Sequence, residues 1–319
     1  MLTPRENFIK YFKGEPCEWT PTSADQLTFR PPPIPDHVVR GMVAQQEPYT
    51  GAYGGLDLFG CEWEFEEAVG GSIETGILFD DIEDWKKHVV FPDLDKWDWE
   101  GCVAANKEYL NTDKLIQTTI YTGFFERLIS FVGFENAAMA LVDEDQQECV
   151  AELFDKLADL YIDIIRRCKK YFNVELVELH DDWGTQRSPM FSLSTHEEMI
   201  APYVRKVVRG AHDCGVFMEM HSCGFIEKLI PSLIDTEIDT WRGQLLNDKH
   251  KLVDTYGDRF KFGVEIRPSE PVDDATAMEL AKKAAGEWAG KNIWFAIGRP
   301  FTPAQKEMMG GFFRSQGLI

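Results

Sequence analysis

The segment Val216-Phe217-Met218-Glu219-Met220-His221-Ser222-Cys223-Gly224 holds the residues of this chain best suited to chemistry. In an extended backbone the side chains alternate, so Glu219, His221 and Cys223 point one way while Met218, Met220 and Ser222 point the other. A carboxylate, an imidazole and a thiol on one edge form a natural donor set for zinc, which takes carboxylate oxygen, His nitrogen and Cys sulfur. Gly224 ends the strand and a helix is expected over 225–235, which puts the donors at a strand's C-terminal mouth.

Polar endings of the same kind recur along the chain. Strand 115–121 ends Tyr121-Thr122-Gly123, and strand 174–179 runs into His180-Asp181-Asp182-Trp183-Gly184-Thr185-Gln186. Strand 238–244 ends Trp241-Arg242-Gly243-Gln244, Glu265-Ile266-Arg267 closes strand 260–266, and Gly298-Arg299 follows strand 293–297. The stretches between them carry apolar residues at three- and four-residue steps, as with Val150, Leu153, Leu157, Leu160, Ile164 and Ile165 in a helix over 144–172. Further helices are expected over 124–141, 196–213, 247–257, 273–288 and 303–314, with Ser194-x-x-Glu197 as a capping signal. Strands alternating with helices imply a parallel sheet. The expected fold is a (β/α)8 TIM barrel, with an open doubly wound sheet as the alternative. In such barrels the chemistry sits at strand C-termini, where these residues fall.

The first 110 residues read differently. A short helix over 2–13 precedes a brief first strand at 18–22, and Arg30-Pro31-Pro32-Pro33-Ile34-Pro35 is extended chain. The glycine-rich stretch 49–76, with Trp63, Phe65, Val69 and Ile73 alternating with polar residues, predicts a hairpin at the rim. The eighth strand is expected around 56–78. The whole of 1–319 is taken as one barrel domain with an N-terminal extension and this rim.

With 33 basic against 54 acidic residues, the net charge is −21, which argues against nucleic acid and against anionic membranes as partners. No apolar run approaches the roughly 18–20 residues that span a bilayer, and the opening Met1-Leu2-Thr3-Pro4-Arg5 predicts no secretion signal. Seven scattered cysteines without a CxxC pair point to free thiols, so a cytoplasmic location is expected.

At His180-Asp181-Asp182-Trp183-Gly184-Thr185-Gln186, Tyr203-Val204-Arg205-Lys206, His221-Ser222-Cys223-Gly224 and Leu233-Ile234-Asp235 the chain resembles the uroporphyrinogen decarboxylase superfamily, over about residues 110–310. The stretch 18–26 lacks the arginines with which true uroporphyrinogen decarboxylases grip their substrate. The better likeness is to the corrinoid-dependent methyltransferase branch, similar to methylcobalamin:coenzyme M methyltransferases and O-demethylase methyltransferases, which carry a His-x-Cys zinc motif. That resemblance implies zinc on His221 and Cys223. It also implies a methyl group passed between a small substrate, with a methoxylated aromatic as candidate, and a corrinoid (cobalamin) on a separate protein. No DxHxxG corrinoid motif occurs in this chain, and no cysteine follows Cys223 to complete a coenzyme M type site. Glu265 is the first candidate for a further ligand, then Glu219 and Asp182. His180, Asp182 and Gln186 are expected to orient substrate, with Tyr121, Trp183 and Trp241 as an aromatic wall. The resemblance also implies a homodimer. The alternative activity is a metal-free decarboxylase in which Asp182 or His180 donates a proton and Arg267 and Arg299 clamp a carboxylate. A non-enzymatic binding barrel is the third reading.

Overall fold

The strands of the computed structural model, which describes residues 1–40, 54–67 and 71–318, fall into two sheets. In chain order they are β1 (Gln26–Thr28), β2 (Gly54–Leu56), β3 (Glu62–Glu66), β4 (Gly71–Glu74) and β5 (Leu115–Tyr121), then β6 (Leu176–His180), β7 (Phe217–Ser222), β8 (Thr240–Gly243), β9 (Lys261–Ile266) and β10 (Ile293–Ile297). Seven of them make one parallel sheet in the order β1-β5-β6-β7-β8-β9-β10. The sheet curls until its last strand meets the segment ahead of its first: Phe295 donates its N–H to the Pro21 carbonyl at 2.9 Å, and Thr22 bridges Phe295 in parallel. Helices cross over between the strands, as parallel pairing demands. The chain is therefore a mixed α/β fold around a curled, seven-stranded parallel sheet.

Two expectations about strands are corrected. The described residues of 54–74 supply no eighth parallel strand; β2, β3 and β4 form a separate antiparallel sheet. The reason lies in their composition. A parallel strand is covered on both faces and needs an apolar run, whereas Glu62, Glu64 and Glu66 alternate with Trp63 and Phe65 and leave one face in water. Positions 49–53 and 68–70 of the expected hairpin lie outside the described residues. The first strand is also displaced, from 18–22 to Gln26–Thr28, with Thr22 making only a single bridge. Pro21 has no N–H to give a ladder.

Helix boundaries moved for local reasons. The expected helix 124–141 breaks at Gly133, whose φ of 80° is left-handed, into Phe125–Val132 and Phe134–Ala140. The helix expected over 196–213 starts at Leu193, capped by Ser192 rather than Ser194, and divides at Ile200 ahead of Pro202. Helix Gln147–Phe172 buries Val150, Leu153, Leu157, Leu160, Ile164 and Ile165 as its spacing predicts. Among the described residues no helix is long and apolar enough to cross a membrane.

The small sheet is tied to the large one by buried charge. Arg127, in the first turn of helix Phe125–Val132, pairs with Asp36 at 2.7 Å and with Asp57, and all three side chains are buried. Asp57 also accepts from the Phe59 and Cys61 amides and the Trp63 indole, so one carboxylate shapes the turn ahead of β3.

Strand faces divide cleanly. Val177, Leu179, Met218, Met220 and Phe262 are fully buried in the main apolar core. The opposite faces of β6, β7 and β8 carry Glu178 and His180, Glu219 and His221, and Arg242, so the concave side of the sheet is charged.

Candidate functional site

Parallel register sets the site. Tyr121, His180, His221 and Arg242 are level across β5, β6, β7 and β8, and two residues back Thr119, Glu178, Glu219 and Thr240 form the row beneath. Residues in register on parallel strands share a face, so adjacent side chains stack. The His180 ring lies 5.0 Å from that of Tyr121 and 4.8 Å from that of His221.

His221 is oriented through its backbone-facing nitrogen. Its Nδ1 lies 2.9 Å from the Arg242 carbonyl, which can only accept, so Nδ1 carries the proton and Nε2 keeps a free lone pair. That Nε2 lies 3.7 Å from Cys223 Sγ. Two ligands at zinc's usual bond lengths and tetrahedral angle stand about 3.6 Å apart, so this pair fits zinc without rearrangement. Ligand atoms of His180, Asp182 and His221 also lie within 4.8 Å of one another, which makes this the one such cluster among the described residues. The alternation read from the sequence holds, with Met218, Met220 and Ser222 buried on the far side.

The two motifs hold each other in place. Cys223 donates its N–H to Asp182 Oδ1 at 2.6 Å, Trp183 donates to Ser222 Oγ at 2.9 Å, and Phe225 donates to the Thr185 carbonyl at 2.8 Å. Gly224, at φ 79°, passes so close to Gly184 that a Cβ on it would stand 2.1 Å from the Gly184 carbonyl. Gln244 accepts from the Gly224 amide and Asn247 from the Ile226 amide, which tie the next loop to the same turn. Asp181 is turned away from the cluster and accepts from the amides of Phe124, Phe125 and Glu126 at the start of helix Phe125–Val132.

Electrostatics separate the two histidines. Burial, the neighbouring His180 and Arg242 push the His221 pKa down to about 4, so its imidazole is neutral and free to donate a lone pair. Burial lowers His180 as well, but Glu178, Glu126 and Asp182, all within 4.0 Å of its ring nitrogens, outweigh it and raise its pKa. Arg242 bonds both Glu178 and Glu219, the latter at 2.9 Å. Burial opposes ionisation of both carboxyls. Arg242 and the two histidines nevertheless hold Glu178 well below the usual carboxylate range, while burial and the adjacent Glu178 push Glu219 up to about 8.

The expected site residues therefore divide. His180, Asp182 and His221 form the cluster of possible ligands; Cys223 is not one of its three members, although its Sγ faces His221 Nε2 and its amide bonds Asp182. Glu219 is engaged by Arg242, and Glu265 acts on Arg242 and Lys249 from β9; neither joins the cluster of possible ligands. Gln186 is exposed on its loop, outside the hydrogen-bonded group, and Arg267 is exposed away from the cavity. Trp183 and Trp241 are fully buried against His196 and Phe262 and form no part of a substrate wall, a correction that follows from the chain path. Trp241 neighbours the inward Arg242 on one strand and so must face outward. Tyr121 does reach the site, where its hydroxyl accepts from Arg30 at 3.3 Å. A cavity of about 610 Å³ is lined by Arg30, Arg40, Glu178, Arg242, Arg299 and Lys306 among others; His180, Asp182, His221 and Cys223 do not line it, and it meets them through Glu178 and Arg242. Of these basic residues the sequence reading singled out only Arg299. Strand parity could have added Glu178 and Arg242, whereas nothing in the spacing marks Arg30, Arg40 or Lys306.

No family model matches the chain, and no curated protein matches it. Among solved structures it is similar to D-psicose 3-epimerase with D-tagatose from Clostridium cellulolyticum, at 9% identity and a TM-score of 0.38 over 68% of this chain and 81% of that one. It is also similar to a sugar phosphate isomerase/epimerase from Parabacteroides distasonis, at 9% identity and a TM-score of 0.36 over 79% and 83%. An endo-1,4-beta-xylanase from Caldicellulosiruptor owensensis follows at 14% identity and a TM-score of 0.35 over 68% and 75%. Likenesses this distant carry no argument about what the chain does.

Proposed function

We propose that this chain is a zinc-dependent methyltransferase that passes a methyl group between a small substrate and a corrinoid carried on a separate protein. The observation that carries the reading is the free Nε2 of His221 facing Cys223 Sγ at 3.7 Å, with Asp182 and His180 beside them. The likeness of these motifs to the methyltransferase branch of the uroporphyrinogen decarboxylase superfamily supports it, and an enzyme built as a (β/α)8 barrel goes with it. Zinc bound there would act as a Lewis acid, stabilising negative charge on the atom that gives up or receives the methyl group. His221 and Cys223 would hold the metal, with Asp182 or His180 as the next donor. The Arg242 carbonyl fixes the His221 tautomer, the kind of outer support that metal-bound histidines use. Tyr121 and Glu126 flank His180 and set its position.

The test is methyl transfer itself. Zinc-loaded protein is mixed with methylcobalamin or reduced cobalamin and a panel of thiols and methoxylated aromatics, and the corrinoid absorbance is followed. Turnover that disappears in His221→Ala and Cys223→Ala supports the proposal; turnover unchanged in both variants rules it out.

A metal-free decarboxylase is the second reading, favoured by the cations that line the cavity. There His180, whose neighbours favour its protonated form, would be the proton donor. Carbon dioxide release by chelator-treated protein would decide for it.

A further inference from the structure

The cavity that reaches Glu178 and Arg242 has the opposite charge character to the chain that builds it. The chain as a whole carries 54 acidic and 33 basic residues, yet among the described residues the cavity is lined by Arg30, Arg40, Arg242, Arg299 and Lys306 against only Glu178 and Glu219. Arg242 serves both of those glutamates, and Arg40 is paired with Glu126 at 2.9 Å. Arg30, Arg299 and Lys306 are left with no carboxylate partner among the described residues. Among the described residues Arg30 is bonded only to the Tyr121 hydroxyl, and its buried Nε has no partner there.

Position strengthens the point. Arg30 lies two residues beyond β1, Arg299 two residues beyond β10, and Lys306 in the first turn of helix Pro303–Gln316. The curl of the sheet brings β1 and β10 together, so these three residues share one wall of the mouth. Arg30 and Lys306 are half-buried and Arg299 is exposed at the rim, and like charges placed together repel: burial, Arg299 and Arg242 together lower the pKa of Lys306. An anion seated among them would remove that cost and gain charge-assisted hydrogen bonds. From this wall the cavity extends to Glu178, which is 3.9 Å from His180 Nδ1. Its volume of about 610 Å³ suits a small molecule that spans the two ends.

We infer that the substrate is a small organic anion whose carboxylate or phosphate is held by Arg30, Arg299 and Lys306 while its other end reaches Glu178, beside His180. This deepens the function proposed above only in assuming that this cavity takes the substrate, and it holds whether the reaction is methyl transfer or decarboxylation. A neutral methoxyphenol would leave the three cations unmatched; a methoxybenzoate or an organic phosphate would not.

The test uses isothermal titration of the intact protein with 4-methoxybenzoate, its neutral isostere 4-methoxybenzamide, and inorganic phosphate at constant ionic strength. The acid should bind at least about ten-fold more tightly than the amide, and Lys306→Met and Arg30→Met should each lose about ten-fold for the acid with little change for the amide. Lys306 sits on a helix surface, so its variant keeps the test informative if Arg30→Met does not fold. Phosphate that displaces the acid assigns the wall to phosphate esters as well; phosphate that does not assigns it to carboxylates. Equal affinity for acid and amide, no binding of any of the three probes, or acid binding unchanged in both variants would overturn the inference. The same titration on Cys223→Ala separates the two claims: anion binding there should persist even if zinc is lost.

Discussion

His221 serves the site through the nitrogen that it does not use for structure. Nδ1 is spent on the Arg242 carbonyl, which leaves Nε2 as the free donor facing Cys223. This much followed from the sequence, because a two-residue period on one strand places Glu219, His221 and Cys223 together whatever the fold. Which of the three stay free of other partners did not follow. Glu219 has the right parity but lies one row deeper, where Arg242 claims it, and that pairing depends on a neighbouring strand. His196 is likewise kept from ionising, but away from the site. It is fully buried, with Nδ1 on Ser232 Oγ at 2.7 Å and Nε2 unpartnered, and burial lowers its pKa to about 3. An unfolded histidine titrates near 6.5. Above that value both states are neutral and the contribution to stability is complete. As the pH falls from about 6.5 towards 3 only the unfolded chain takes the proton, and stability drops by roughly 1.4 kcal/mol per pH unit from this residue. Denaturant melts across that window should therefore converge for wild type and His196→Phe as the pH falls. Parallel curves would show that His196 does not titrate differently on folding.

The turns after β6 and β7 are the elements that make a site out of separate residues. Cys223 reaches Asp182 because its own amide donates to that carboxylate, and the two loops approach to glycine distance at Gly184 and Gly224. Gly224→Ala puts a methyl group into the Gly184 carbonyl and an L side chain at φ 79°. The change should cost about 1–3 kcal/mol of stability and separate Asp182 from Cys223. The protein should still melt cooperatively but bind substantially less zinc than wild type, although no ligand has been altered. Wild-type zinc content in that variant would show that the loops do not position the pair. Most of these elements were legible, since β5 to β10 and the helix Gln147–Phe172 lie close to where apolar periodicity puts them. Breaks such as Gly133 and Ile200 were less so, because a helical pattern runs across them unbroken. Trp183 and Trp241 were misplaced on the substrate side for want of the same parity argument that located His221.

Across the whole molecule, the curled sheet brings together residues with no local signature. Arg30 and Lys306 are 276 residues apart in the chain and share one wall only because β10 returns to the segment before β1. No spacing rule could have linked them. The glutamates that alternate through β3 forecast its half-exposed pairing, which is incompatible with the eighth parallel strand expected around 56–78. What attaches that small sheet is the buried set Asp36–Arg127–Asp57. Arg127→Met leaves two carboxylates buried without their cation and should lower global stability by roughly 3–5 kcal/mol. A denaturation midpoint shifted accordingly, with proteolysis starting in the 54–74 region, is the expected result; an unshifted midpoint would show that the triad is not what fastens the sheet.

Zinc content tests the central claim most directly. Elemental analysis of freshly purified protein, beside His221→Ala and Cys223→Ala, should find about one zinc per chain in wild type and far less in each variant. Wild type that holds no zinc even after reconstitution, or variants that keep it, would contradict the account of this pair as a metal site.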